Sequence, residues 1–230
     1  MSTGLTELVF VLDRSGSMSG LEDDTIGGVN GMIKKQKSEG HPVNVTTVLF
    51  DDEVEIIHDR FPVDTVFPLT KEEYYVRGCT ALLDAVGIAI DKMENIQKRL
   101  MKKHRAEKVI FVITTDGYEN ASEKYSYEQI RRKIEAKKEC GWEFLFLGAN
   151  IDAGEQAEKI GIKRNRSVTY ENDRKGIAIN FKVIGRALRK AVLCDDSADY
   201  FDEDWMDEIQ EYHEKIRNFS MTYPSTPHTA

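Results

Sequence analysis

From residue 8 to about residue 192, short apolar runs rich in β-branched residues alternate with longer stretches of helical spacing, and few folds accept that order. Leu8–Leu12 is an unbroken apolar run, the pattern of a strand covered on both faces. From Leu21 to about Lys37, Leu21, Ile26, Val29, Met32 and Ile33 fall at roughly helical spacing. Gly27, Gly28 and Gly31 lower the helical propensity there and fit a close approach to a sheet. After a break at "GHP" (40–42), Val43–Phe50 reads as a second strand and Glu53–Arg60 as a third, joined at Asp51-Asp52 into a hairpin. Beyond a loop containing Pro62 and Pro68, a helix runs from Ala81, with Leu82, Leu83, Val86, Ile90, Met93, Ile96 and Leu100 on one stripe. Lys108–Thr114 is the next buried strand, Tyr127–Lys138 a helix, Trp142–Leu147 a strand, 153–160 a short helix and Ser167–Tyr170 a short strand. Ile177, Phe181, Ile184, Leu188 and Val192 mark a closing helix.

Strands separated by helices imply an α/β fold of the Rossmann-like, doubly wound kind. The sheet is expected to be mainly parallel, with one antiparallel edge strand from the hairpin and helices on both faces. Binding sites in such sheets lie beyond the carboxyl ends of the strands, which directs attention to Asp13, Asp116 and Asn150. This domain is expected to occupy residues 1–195. Residues 196–230 form a strongly acidic appendage in which Trp205, Ile209, Tyr212, Ile216 and Phe219 recur at helical spacing. That amphipathic helix is expected either to dock on its own domain or to bind a partner, and "YPSTPHTA" reads as a frayed end.

The net charge of −8 argues against nonspecific nucleic-acid binding, which needs basic surface. The basic stretch "KRLMKKHR" (98–105) reads as a solvated helix face. No apolar run approaches the about 20 residues that span a bilayer, and the N-terminal residues lack a basic n-region, so a soluble, cytoplasmic protein is expected. Cys79, Cys140 and Cys194 are widely spaced and form no CxxC pair. They read as buried free thiols in a reducing compartment rather than a disulfide framework or zinc knuckle.

In "VFVLDRSGSMSG" (9–20), Asp13, Ser15 and Ser17 alternate along a tight loop after the first strand. Thr80 stands in "GCTALLDA" before the long helix, and Asp116 in "TTDGYEN" after the fourth strand. In a doubly wound sheet the first and fourth strands are neighbours where the strand order reverses, so two carboxylates and three hydroxyls converge. A set of hard oxygens without imidazole or thiolate suits Mg2+ or Mn2+, with Ca2+ as an alternative. Few carboxylates leave the cation surplus positive charge and an exchangeable position that a partner's carboxylate fills. Taken alone, Asp13–Ser17 also fits an ordinary turn or helix cap. Asp84, one turn after Thr80, reads equally as a support of the site or as a plain helix residue; Asn150 reads as a loop or cap residue.

With these residues in this order the chain resembles von Willebrand factor type A domains. Asp13-Arg14-Ser15-Gly16-Ser17 matches the DxSxS of their metal-ion-dependent adhesion site, and Thr80 and Asp116 match its distant threonine and aspartate. The likeness covers about residues 5–195 and is nearest to stand-alone bacterial or phage members. It implies a Rossmann-like fold and metal-dependent binding of a protein ligand. It also implies metal contacts from Ser15, Ser17 and Thr80, the last direct or through water depending on conformational state, with Asp13 and Asp116 acting largely through waters.

The reading is therefore a non-enzymatic, metal-dependent protein-binding module with a scaffold or assembly role. The alternative is a Mg2+-dependent phosphohydrolase with Asp13 as nucleophile. Against it, the acid/base aspartate expected two residues on is replaced by Ser15, and only Arg14 and Arg77 supply nearby positive charge. A third reading has the tail helix carry a purely structural interaction while the metal site is vestigial.

Overall fold

The structure is a computed structural model describing residues 4–193, 201 and 204–222, with side chains described through residue 218. In chain order the elements are β1 (Thr6–Asp13), α1 (Glu22–Glu39), β2 (Val43–Phe50), β3 (Val54–Pro62), α2 (Leu82–Arg99) and β4 (Lys108–Thr115). There follow α3 (Tyr127–Glu139), β5 (Glu143–Ala149), α4 (Ala153–Lys159), β6 (Ser167–Tyr170), α5 (Arg174–Leu193) and α6 (Asp207–Thr222). The strands form one sheet in the order β3-β2-β1-β4-β5-β6, parallel except for β3. This is the doubly wound α/β architecture expected from the alternation, with the reversal of strand order between β1 and β4.

Side-chain alternation on the central strands sorts the core into two layers. Leu8, Phe10 and Leu12 of β1 face α1 and α5. Val9 and Val11 face the other way, among the buried residues of α2, α3 and α4. Asp13 continues the strand, fully buried, and its register neighbour on β2 is Phe50. The strand thus delivers a carboxylate to the carboxyl end of the sheet with no freedom in its placement.

Several expectations need correction. Of the three glycines on α1, only Gly28 is at a close approach, and its neighbour is a helix rather than the sheet: a Cβ there would lie 2.0 Å from the Phe181 ring of α5. Gly27 and Gly31 face open space. Cys79 and Cys140 are exposed thiols, not buried ones, because both fall in loops at element ends; Cys194 lies outside the described residues. The basic stretch 98–105 is helical only at its start, since α2 ends at Arg99 and Lys102–His104 forms a separate 3-10 turn.

The acidic segment carries α6, which packs beside β6 and α5. Phe201, Trp205, Met206 and Ile209 are buried in the same layer as α5. Trp205 precedes the helix, and its indole N–H donates to the Asn165 carbonyl at 2.9 Å. Tyr212 and Ile216 are half-buried, while the Phe219 side chain and "YPSTPHTA" lie outside the described residues. No helix among the described residues is long and apolar enough to cross a membrane.

Candidate metal centre

Asp13 ends β1 and spends its carboxylate on the loop that follows. Its Oδ1 accepts from the Ser15 backbone N–H at 2.7 Å, which turns the chain back on itself. Its Oδ2 accepts from the Thr115 hydroxyl at 2.6 Å, across the pairing of β1 with β4. The turn points Ser15 and Ser17 the same way: their hydroxyl oxygens are 3.1 Å apart. The Ser17 hydroxyl donates to Asp116 Oδ1, in a short contact that joins the β1 loop to the end of β4.

Thr80 arrives from the third loop. Asn120 clamps its backbone from both sides: Asn120 Oδ1 accepts from the Thr80 N–H at 2.9 Å, and the Asn120 N–H donates to the Thr80 carbonyl at 3.1 Å. Both hydroxyls converge beside Gly117, where an added Cβ would lie 3.2 Å from Thr80 Oγ1 and 3.5 Å from Ser17 Oγ. Gly117 therefore keeps open a small space bounded by hydroxyls. Asp13, Ser15, Ser17, Thr80 and Asp116 are thus assembled at one place from three loops.

Two networks hold those loops. Tyr74, fully buried, donates its hydroxyl to the Asp13 carbonyl at 2.6 Å. The Gly16 N–H donates to the Gly78 carbonyl at 3.2 Å, and the Arg77 N–H to the Arg14 carbonyl at 3.0 Å, so the loop before Thr80 is stitched to the DxSxS loop. Glycine is favoured at Gly78, whose φ of +66° would strain a side chain and where Asp52 Oδ1 lies 1.7 Å from the place of a Cβ. Arg14 is completely buried and donates to Asp51 at 2.8 Å and to Glu55 at 2.9 Å. Arg77 donates to the same Asp51 oxygen at 2.8 Å. Burial pushes the Asp51 carboxyl up, but the Arg77 and Arg14 bonds outweigh it and leave it below the usual range.

On the other side, Glu119 accepts from the N–H groups of Leu83, Ala121 and Ser122. Asp84 accepts from those of Glu123, Lys124 and Tyr125. Asp84 therefore supports the loop after Asp116 and is not itself in the site. Asn150 is an exposed loop residue in the left-handed region at φ 55°.

The electrostatics of the site are those of ionisable groups short of counter-charge. Burial raises the Asp13 carboxyl to about 6, against the lowering effect of the Thr115 and Ser15 bonds. Burial likewise raises Asp116, opposed by its bonds from Ser17 and Asn172. Asn172, just past β6, donates to Asp116 Oδ2 at 3.1 Å. Neither arginine near the loops relieves this, since both guanidiniums are bound to Asp51. Among the described residues, no cluster of three or more His, Cys, Asp or Glu side chains could hold a metal. The oxygen set here, with two carboxylates and three hydroxyls, is of another kind and fits a hard divalent cation. Thr80 Oγ1 makes no hydrogen bond among the described residues, so its lone pairs are uncommitted.

Sequence reasoning missed Thr115, Asn120 and Asn172. Thr115 was open to inference, since it precedes Asp116 and pairs alongside Asp13; Asn120 and Asn172 carry no local signal.

No protein-family model and no curated protein matches the sequence. Solved structures do match its fold. The vWF domain of the type V pili tip protein Mfa5 from Porphyromonas gingivalis aligns over 86% of this chain and 100% of its own, at 14% identity and a TM-score of 0.63. A mutant of the PilB minor pilin from Streptococcus sanguinis aligns over 81% of this chain at 14% identity and a TM-score of 0.57. Proximal thread matrix protein 1 from the mussel byssus, in a structure with a zinc-occupied MIDAS motif, aligns over 80% at 15% identity and a TM-score of 0.53. The chain spans 62% of that pilin chain and 46% of that matrix-protein chain. The fold is that of a von Willebrand factor type A domain.

Proposed function

We propose that the chain is a cation-dependent protein-binding module, in which Ser15, Ser17 and Thr80 contact a divalent cation and Asp13 and Asp116 hold it largely through waters. The observation that carries this reading is the convergence of three hydroxyls and two charge-starved carboxylates beside Gly117. Mg2+ or Mn2+ is favoured by the all-oxygen donor set. When bound, the cation supplies an open coordination position for a carboxylate of the partner. The zinc at the MIDAS motif of the byssus protein supports a divalent ion at the equivalent place, and the occurrence of this fold in a pilus tip protein and a thread matrix protein supports a protein partner. A cytoplasmic location belongs to the same proposal and is supported by free, exposed thiols at Cys79 and Cys140.

The immobilised chain should retain a protein from its source lysate in Mg2+ and release it in EDTA, while Asp116→Ala retains none. Equal retention in EDTA and by Asp116→Ala would overturn the reading. Phosphohydrolysis is disfavoured because both Asp13 oxygens are engaged, Ser15 occupies the acid/base position, and Arg14 and Arg77 are bound to Asp51. With p-nitrophenyl phosphate and Mg2+, turnover should not exceed that of metal alone. Turnover that disappears in Asp13→Asn would restore the enzyme.

A further inference from the structure

The sheet has two edges, and they are treated differently. β3, at one edge, carries Glu55, Asp59, Arg60 and Pro62, the charges and proline that discourage another strand from pairing. β6, at the other, reads Ser167-Val168-Thr169-Tyr170, with neither a charge nor a proline. Its backbone pairs with β5, and at its start the Ser167 N–H donates to the Arg164 carbonyl; Val168, Thr169 and Tyr170 make no further backbone hydrogen bond among the described residues.

A groove of about 790 Å3 runs along that edge. All four β6 residues line it. Val168 and Tyr170 belong to the layer shared with α5 and α6, whereas the Thr169 hydroxyl turns toward the start of α4 to meet Ala153 N–H. Consecutive residues whose side chains point to opposite faces can share one groove only where it follows the strand's free edge. Helix α6 forms one wall through Gln210, His213 and Arg217; Asn150 and Arg164 stand on the other. Helix α6 thus flanks the edge without closing it. The groove reaches the side of the molecule that holds the candidate metal centre, since Tyr118, two residues after Asp116, also lines it.

We infer that the free edge of β6 binds an extended peptide segment of a partner protein by strand addition, within the groove walled by α6. The N–H and C=O groups of an edge strand that turn away from its one neighbour are matched by another extended backbone, and the flanking polar side chains select among sequences. The four β6 residues span about 13 Å, enough to pair with a short segment. This surface goes beyond the cation site and does not require it.

The test selects binders from a random phage-displayed peptide library on the full chain in EDTA, then scans the best synthetic peptide with single N-methyl amides. Strand addition predicts losses of about tenfold or more at alternate positions and little change between them, because every second N–H faces the edge. Gln210→Trp or Glu214→Trp, both at exposed positions on α6, should weaken binding about tenfold without changing the melting temperature. Asp116→Ala should leave it unchanged. The inference is overturned by recovery of no peptide, by an N-methyl scan without alternation, or by binding that ignores both tryptophan variants. Concentration-dependent dimers that protect the β6 amides would also overturn it, by assigning the edge to a second copy. Loss of cation binding in Asp116→Ala with peptide binding intact separates this surface from the function proposed above.

Discussion

Asp13 is the residue on which the energetics of the site turn. Its carboxyl is buried and raised to about 6 from an ordinary 3.8, so in the metal-free protein the folded state holds a proton more tightly than the unfolded state. The stability that this protonation confers is fully present below about pH 4 and is lost as pH rises through about 6. At neutral pH the ionised group costs on the order of 3 kcal/mol. Asp13→Asn keeps an acceptor for the Ser15 N–H, and Thr115 keeps the Gly117 carbonyl, to which its hydroxyl also donates at 3.1 Å. The variant should therefore melt several degrees higher than the metal-free parent at pH 7.5 and show no such gain at pH 4, while losing cation binding. An equal loss of stability at both pH values in thermal melts would refute the account of Asp13 as a strained, cation-awaiting carboxylate.

Helix α6 poses the question of what an acidic tail contributes to the domain. Trp205 is 6% exposed and Ile209 2%, and Glu208 pairs with Lys182 at 2.6 Å and Arg186 at 3.2 Å on α5. The ion pairs are partly exposed and contribute little. The two apolar side chains are each expected to cost about 2–5 kcal/mol when truncated. Trp205→Ala with Ile209→Ala should lower the melting temperature by about 10 °C or more. An unchanged melt would mean that the helix stabilises nothing and is held for a partner. The stripe was legible from spacing, but its start was not: Trp205 sits in the turn before the helix because its indole is tied to Asn165.

At the scale of the whole molecule, the site exists because three loops meet at the end of one sheet. The strands were readable because their apolar runs are covered on both faces, and the order of DxSxS, threonine and aspartate along the chain was readable with them. The scaffold behind the site was not. Arg14 carries no local sign of burial, yet it is fully buried on Asp51, a pairing set by residues 37 positions apart. Asn120 and Asn172 likewise act on Thr80 and Asp116 across distances at which local sequence patterns carry no information. Glycines follow the same rule, since Gly117 is defined by the hydroxyls that crowd it and Gly28 by an aromatic ring from α5.

The claim that this convergence holds a cation is tested most directly by growing crystals of the full chain in Mn2+ and computing an anomalous difference map. The account predicts one peak among Ser15 Oγ, Ser17 Oγ and Thr80 Oγ1, at hard-cation oxygen distances of about 2.0–2.6 Å, and no peak there in Asp13→Asn crystals. A peak elsewhere with these oxygens bare, or no peak in crystals saturated with Mn2+, would contradict it.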